Sequence, residues 1–251
     1  MNATDEIPGT VAGALATGGS TRLLVTGGTG VLGRTLAPLA RAAGHELLTP
    51  AAAKLDLFDP VAHATRGVDA VLHLATRIRP LEQLGSPEAW RDNDRLRADA
   101  SRILVDAALA ADVTAYVQPT VTFVYPGDGP VSEDTPITDV SAILRSALTA
   151  EREADRFARS GRRGIVLRLG LLDGPGTGHD APVPALGATL HVADATAPCS
   201  QRSPSPAGST TSPATANAYP TVASRTPPAG TQASNRSMPI LPLRANSPGG
   251  S

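Results

Sequence analysis

Short apolar runs alternate with amphipathic stretches from Arg22 to about Leu171, and that rhythm sets the fold class. Arg22–Gly27 is apolar without alternation, as expected of a strand covered on both faces. Val31–Ala43 places its apolar residues at helical spacing and meets Gly44, a residue suited to the left-handed position that ends a helix. Pro38 inside it removes one backbone donor. His45–Thr49 and Lys54–Leu57 predict a second and a short third strand, and Asp59-Pro60 opens a brief helix ending near Gly67. Asp69–Ala75 predicts a fourth strand. Glu88–Ala111 predicts a long helix with Leu96, Ile103, Leu104 and Ala107 along one stripe. Ala115–Gln118, Val140–Ser160 and Gly164–Gly170 complete the series as strand, helix and strand. Strands joined by right-handed helical crossovers make a doubly wound parallel α/β sheet.

Between the first strand and the first helix lies Thr26-Gly27-Gly28-Thr29-Gly30-Val31-Leu32-Gly33. Each of three glycines has a physical reason there. One permits the tight turn, one lets backbone approach a pyrophosphate, and one allows close helix–strand packing. The helix beginning near Val31 adds free N–H groups and the positive end of its dipole. A glycine pattern alone is weak evidence; set between strand and helix it points to a dinucleotide.

TGGTGVLG, LDL at 55–57, HLA at 73–75, Tyr125 after a threonine-bearing strand end and LRLGLLDGPG at 167–176 follow one another in a known order. From Arg22 to Asp194 the chain resembles the extended short-chain dehydrogenase/reductase family, in its NAD-dependent epimerase/dehydratase branch. The resemblance implies a Rossmann fold holding NAD or NADP. It implies that Gly27, Thr29, Gly30, Val31, Leu32 and Gly33 wrap the pyrophosphate, that Asp56 and Leu57 lie by the adenine, and that Leu74, Ala75 and Thr76 line the cofactor. It also implies hydride transfer at a carbonyl or alcohol carbon of a small, unnamed substrate, with sugar nucleotides one class. His73 reads as a satisfied strand residue rather than a catalyst. NAD or NADP is left open, because Thr49-Pro50-Ala51-Ala52 offers neither an acid for the ribose hydroxyls nor an arginine for a 2′-phosphate.

The usual Tyr-x-x-x-Lys pair is missing. With Glu151 as anchor, Ile143 stands at the tyrosine position and Ala147 at the lysine. The usual catalytic hydroxyl position carries Val121, flanked by Thr120 and Thr122, and Tyr125 is the nearby phenol. Thr120, Thr122 and Tyr125 are therefore the catalytic candidates, with a packing role competing for Tyr125. Arg97 stands where many relatives have asparagine, and Asn93 lies one turn earlier. A non-catalytic NAD(P)-binding sensor or interaction module is the alternative to an enzyme.

Composition breaks near residue 195. Residues 1–20 read as a flexible leader and 21–194 as the NAD(P)-binding domain. After Asp194 there is no acid, and prolines fall among Ser, Thr, Ala and Gly. Such a segment buries too little apolar surface to offset its conformational entropy, so residues 195–251 are expected to be disordered and the substrate lobe largely missing. An out-of-frame reading of a GC-rich gene, giving an inactive product, and a natural tail both produce this composition.

Charge and cysteine content narrow the picture further. A formal charge of −1 gives no electrostatic footprint for nucleic acid or an anionic membrane. No apolar run is long enough to span a bilayer. The lone Cys199 has no internal disulfide partner, no metal-ligand spacing surrounds it, and a reducing cytoplasm is expected. A homodimer is compatible with these features.

Overall fold

The computed structural model describes residues 21–50, 56–59, 65–79, 83, 86–126, 135–138, 140–182, 189–196 and 221–223. Strands β1 (Arg22–Thr26), β2 (Glu46–Leu48), β3 (Ala70–His73), β4 (Ala115–Val121), β5 (Arg163–Leu169) and β8 (Thr221–Ala223) form one sheet. Its order is β2-β1-β3-β4-β5-β8, parallel except for the antiparallel β5–β8 pair. A two-stranded parallel sheet, β6 (Leu171–Asp173) with β7 (Thr189–His191), stands beside it.

Period-two alternation divides the core. Leu23, Val25, Leu72, Val117 and Leu167 face one way, with Leu36 and Ala40 of helix α1 (Val31–Ala42) and Ala195 of helix α5 (Val192–Thr196). Leu24, Val71, Tyr116 and Val166 face the other, with Leu104 and Val105 of helix α3 (Ser101–Ala110) and Phe157 of helix α4 (Arg145–Arg159). Both faces are covered, which is why these strands read as continuous apolar runs. Tyr116 and Phe157 meet with ring centroids 5.8 Å apart.

Several expectations need correction. The long helix is helix α2 (Pro87–Arg95), a π-helical segment Leu96–Ala100, and α3. The predicted third strand is not formed at its end. Leu57 lies in a turn, where the Asp56 carboxylate accepts the Phe58 N–H at 2.9 Å, and Lys54 and Leu55 lie outside the described residues. Of the expected helix after Asp59, residues 60–64 also lie outside them. The fifth strand runs on to Val121, and α4 begins at Arg145 after a 3₁₀ turn at Ala142–Leu144.

The segment expected to be disordered contributes structure at two places. Helix α5 crosses its boundary with Ala195 and Thr196 buried, and β8 adds an edge strand in register Leu167↔Val222. Its other residues, like the leader, lie outside the described residues.

Candidate functional site

The sheet order puts β1 between β2 and β3, so the connection leaving β1 runs to β2 on one side and that leaving β3 runs to β4 on the other. A crevice opens at that switch point, at the carboxyl ends of the strands. Gly27 holds φ +71°, and a Cβ there would come within 2.6 Å of the Ala75 backbone nitrogen, so only glycine lets the turn press against the end of β3. A Cβ at Gly33 would lie 2.5 Å from the Gly28 Cα, so α1 packs directly on the turn. Gly30 differs. A Cβ there would meet only the Gly27 carbonyl, at 3.1 Å, and its own N–H already donates to that carbonyl at 2.9 Å. As helix cap, Gly30 lends no side chain, and no acid occupies the first turn of α1. The amino end of α1 therefore offers its dipole to an anion.

A cleft of about 590 Å³ lies over this turn. Gly27, Thr29 and Gly30 line it, with Asp56 and Leu57 on one side and Leu74, Ala75 and Thr76 at the end of β3. Val31, Leu32 and Gly33 form the start of α1 behind the turn. The residues expected from sequence make up half of this wall; Thr26, Gly28, Pro50, Phe58, Arg77 and the Asp92, Arg95 and Leu96 of the long helix were not among them. Those helix residues follow i, i+3, i+4 spacing, a stripe that reads as solvated surface without the fold.

His73 is buried beside the cleft. Its Nδ1 lies 2.6 Å from the Thr26 hydroxyl and its Nε2 3.0 Å from the Leu96 carbonyl. The carbonyl can only accept, so Nε2 carries the proton and Nδ1 accepts from Thr26. Burial pushes the imidazole pKa down to about 4, against a smaller upward pull from the Leu96 carbonyl. The ring is neutral at pH 7 and ties β1, β3 and the π segment together.

The catalytic candidates do not line the cleft. The Thr120 hydroxyl donates to Glu151 Oε1 at 2.7 Å. Arg168 grips Glu151 with two bonds, of 2.9 Å from Nε and 2.6 Å from Nη2, and its Nη1 donates to the Tyr125 hydroxyl at 2.7 Å. Burial alone would lower the guanidinium pKa, but hydrogen bonding and charge from Glu151, then Tyr125, raise it above the usual arginine value. A charge inside the apolar run Gly164–Gly170 was the available signal for this network, since a buried arginine needs a carboxylate. Thr122 is buried, and its hydroxyl has no partner among the described residues.

Ala147, at the lysine position, is fully buried. Asn93 accepts the Arg77 N–H at 3.1 Å through Oδ1. Arg97 is buried with Nη1 unpartnered among the described residues; burial lowers its pKa, opposed by Asp94 and Glu151. Among the described residues no helix is long and apolar enough to cross a membrane, and no cluster of three His, Cys, Asp or Glu is placed to hold a metal.

Residues 23–198 match the family model of the NAD dependent epimerase/dehydratase family. A curated relative, the 3-diazoavenalumate denitrifying reductase of Streptomyces sp, is 32% identical over 181 residues, covering 63% of this chain and 58% of that protein. Among solved structures, a short-chain dehydrogenase/reductase superfamily protein from Agrobacterium tumefaciens with bound NAD is 27% identical, with a TM-score of 0.52 over 60% of this chain and 49% of that one. RMD from Pseudomonas aeruginosa, complexed with NADPH, is 26% identical with a TM-score of 0.50, over 62% of this chain and 56% of that one. The chain thus spans about half the length of these relatives. Its sheet order, its glycine turn and the matched span agree: the chain belongs to the NAD-dependent epimerase/dehydratase family.

Proposed function

We propose that the cleft binds NAD(P)(H) and that the chain performs, or descends from proteins performing, nicotinamide-dependent hydride transfer. Gly30 carries this reading: it faces the cleft at the amino end of α1 with no Cβ and almost nothing in the space a Cβ would fill. Backbone that close to open space, under a helix dipole, suits a pyrophosphate. Gly27, Thr29 and Gly30 with Val31, Leu32 and Gly33 would hold the phosphates. Asp56 and Leu57 would contact the adenine, and Leu74, Ala75 and Thr76 the nicotinamide half. When bound, the dinucleotide supplies the hydride, and the chain positions it and shapes the dielectric around it. The cytoplasm is the compartment that fits the lone thiol of Cys199.

The acceptor is constrained by what the site lacks. Reduction of a carbonyl, sugar nucleotides included, requires a proton at the developing oxyanion, and a positioned acid is worth about 10²–10⁴-fold. Ala147 supplies none, Thr120 donates its proton to Glu151, and none of Thr120, Thr122 and Tyr125 lines the cleft. Their distance from the cleft favours a second reading, an acceptor that needs no proton from the protein. The Streptomyces relative is named for reductive loss of nitrogen from a diazo compound. Hydride addition at a carbon bearing a diazonium group breaks the C–N bond, and the electron pair leaves with N₂, so no oxyanion forms.

Fluorescence titration with NADH and NADPH tests the cofactor site. Turnover against paired panels of carbonyl and aryl diazonium acceptors tests the chemistry. Turnover confined to diazonium compounds supports the second reading. Tight cofactor binding with no turnover on either panel would make the chain a non-catalytic NAD(P)-binding module.

A further inference from the structure

Arg95 carries an inference about how the adenosine end of the cleft is read. Its guanidinium carbon sits 4.2 Å from the centroid of the Phe58 ring, and both residues line the cleft. Phe58 is presented there by the Asp56 turn, in which a carboxylate oxygen holds the Phe58 N–H. One face of the Arg95 guanidinium rests on the ring, and the side chain is 54% exposed. Its ion pair with Asp99, at 3.9 Å across one helical turn, is long and weak.

A guanidinium is planar, delocalised and weakly hydrated, and it stacks on aromatic faces as an ammonium does not. We propose that Arg95, held flat by Phe58, is the stacking platform for the adenine ring of the dinucleotide, forming a Phe58–Arg95–adenine sandwich. This rests on the cofactor reading above. The pyrophosphate at the amino end of α1 leaves the nicotinamide towards the end of β3, and places the adenosine on the Pro50 and Asp56–Phe58 side. Thr49-Pro50 at the end of β2 offers no carboxylate for the ribose hydroxyls. Stacking on Arg95 is a hold that tolerates either NAD or NADP.

The test compares cofactors with and without an adenylate half. NADH, NADPH and reduced nicotinamide mononucleotide are titrated against the natural chain and against Arg95→Ala, Arg95→Lys and Phe58→Leu. Stacking of a base on a planar side chain predicts that Arg95→Ala weakens both dinucleotides about tenfold, with the mononucleotide unchanged within about twofold. Arg95→Lys keeps the charge but not the plane, and should recover little of the loss; Phe58→Leu should fall between. Equal dinucleotide affinity in Arg95→Ala, equal loss for the mononucleotide, or full recovery in Arg95→Lys would each overturn the platform while leaving the cofactor site standing. If the natural chain binds neither dinucleotide, the cofactor reading falls and the platform with it.

Discussion

Arg168 donates an Nη1 hydrogen bond of 2.7 Å to the Tyr125 hydroxyl, and its guanidinium carbon lies 5.0 Å from the centroid of the same ring. The tyrosine that a sequence reading nominates for proton transfer is thus held from two directions by a cation already paired with Glu151. Its oxygen accepts from Arg168 in the interior, away from the cleft. These contacts make Tyr125 a brace between the end of β4 and β5.

Tyr125→Phe should therefore leave NAD(P)H affinity unchanged within about twofold and lower stability by about 1.5–3 kcal/mol, the range for a hydrogen bond to a charged group. Arg168→Met should cost more, about 3–5 kcal/mol, because it leaves the Glu151 carboxylate buried without its cation. Urea denaturation gives both values. Loss of turnover in Tyr125→Phe at unchanged stability would mean that the hydroxyl serves chemistry after all.

The glycine turn separates binding from folding. Gly30→Val should abolish dinucleotide binding in a folded protein, since its side chain would project where only the Gly27 carbonyl lies near. Gly33→Val should instead disrupt the fold, because even a Cβ there falls 2.5 Å from Gly28 Cα and the backbone has to move. Circular dichroism and nicotinamide fluorescence distinguish the outcomes. Unchanged affinity in Gly30→Val would remove the pyrophosphate from this turn.

His73 predicts a pH dependence. Its folded pKa, about 4, lies below the ordinary 6.5, so the unfolded chain binds the proton more readily. The stability this gives is fully present above pH 6.5 and is lost as pH falls from there towards 4. The loss should reach about 2 kcal/mol at pH 5. Denaturation curves at pH 7 and 5 should show that drop in the natural chain, and His73→Gln should lack this share of it. An equal drop in the variant would place the effect elsewhere.

These features were not equally legible. The turn at Gly27–Gly33 was readable because its glycines answer to local sterics, and β1 and β3 because burial on both faces demands unbroken apolar runs. The π segment was not: Leu96-Arg97-Ala98-Asp99-Ala100 contains no Pro or Gly, and the Leu96 carbonyl at its start is bonded by His73, a residue 23 positions away. The third strand misled because Lys54–Leu57 has strand character, while the Asp56 side chain claims a neighbouring N–H and turns the backbone. The network around Thr120 and Tyr125 was not legible either, because Arg168 and its partner Glu151 lie on different elements, 17 positions apart. Strand β8 was hidden because three residues of strand character in a Ser/Thr/Pro matrix carry almost no signal, and only the open edge of β5 gives them a place.

That edge supports the last prediction. Thr221–Ala223 covers β5 opposite Val166–Arg168, at the far side of the sheet from the β2–β1–β3 cleft. Removing residues 197–251 should leave NAD(P)H affinity within about twofold, because no described residue of that segment reaches the glycine turn. It should, however, uncover unpaired backbone groups along β5, beside the buried Val166 and Leu167. An exposed, apolar edge is a template for pairing with another chain, so the shortened protein should self-associate more than the full chain. Size-exclusion chromatography with light scattering, across a concentration series, reads this directly. The shortened chain should form larger species as its concentration rises. A shortened chain that stays monomeric at every concentration would show that β8 is not what keeps the edge of β5 apart from other copies.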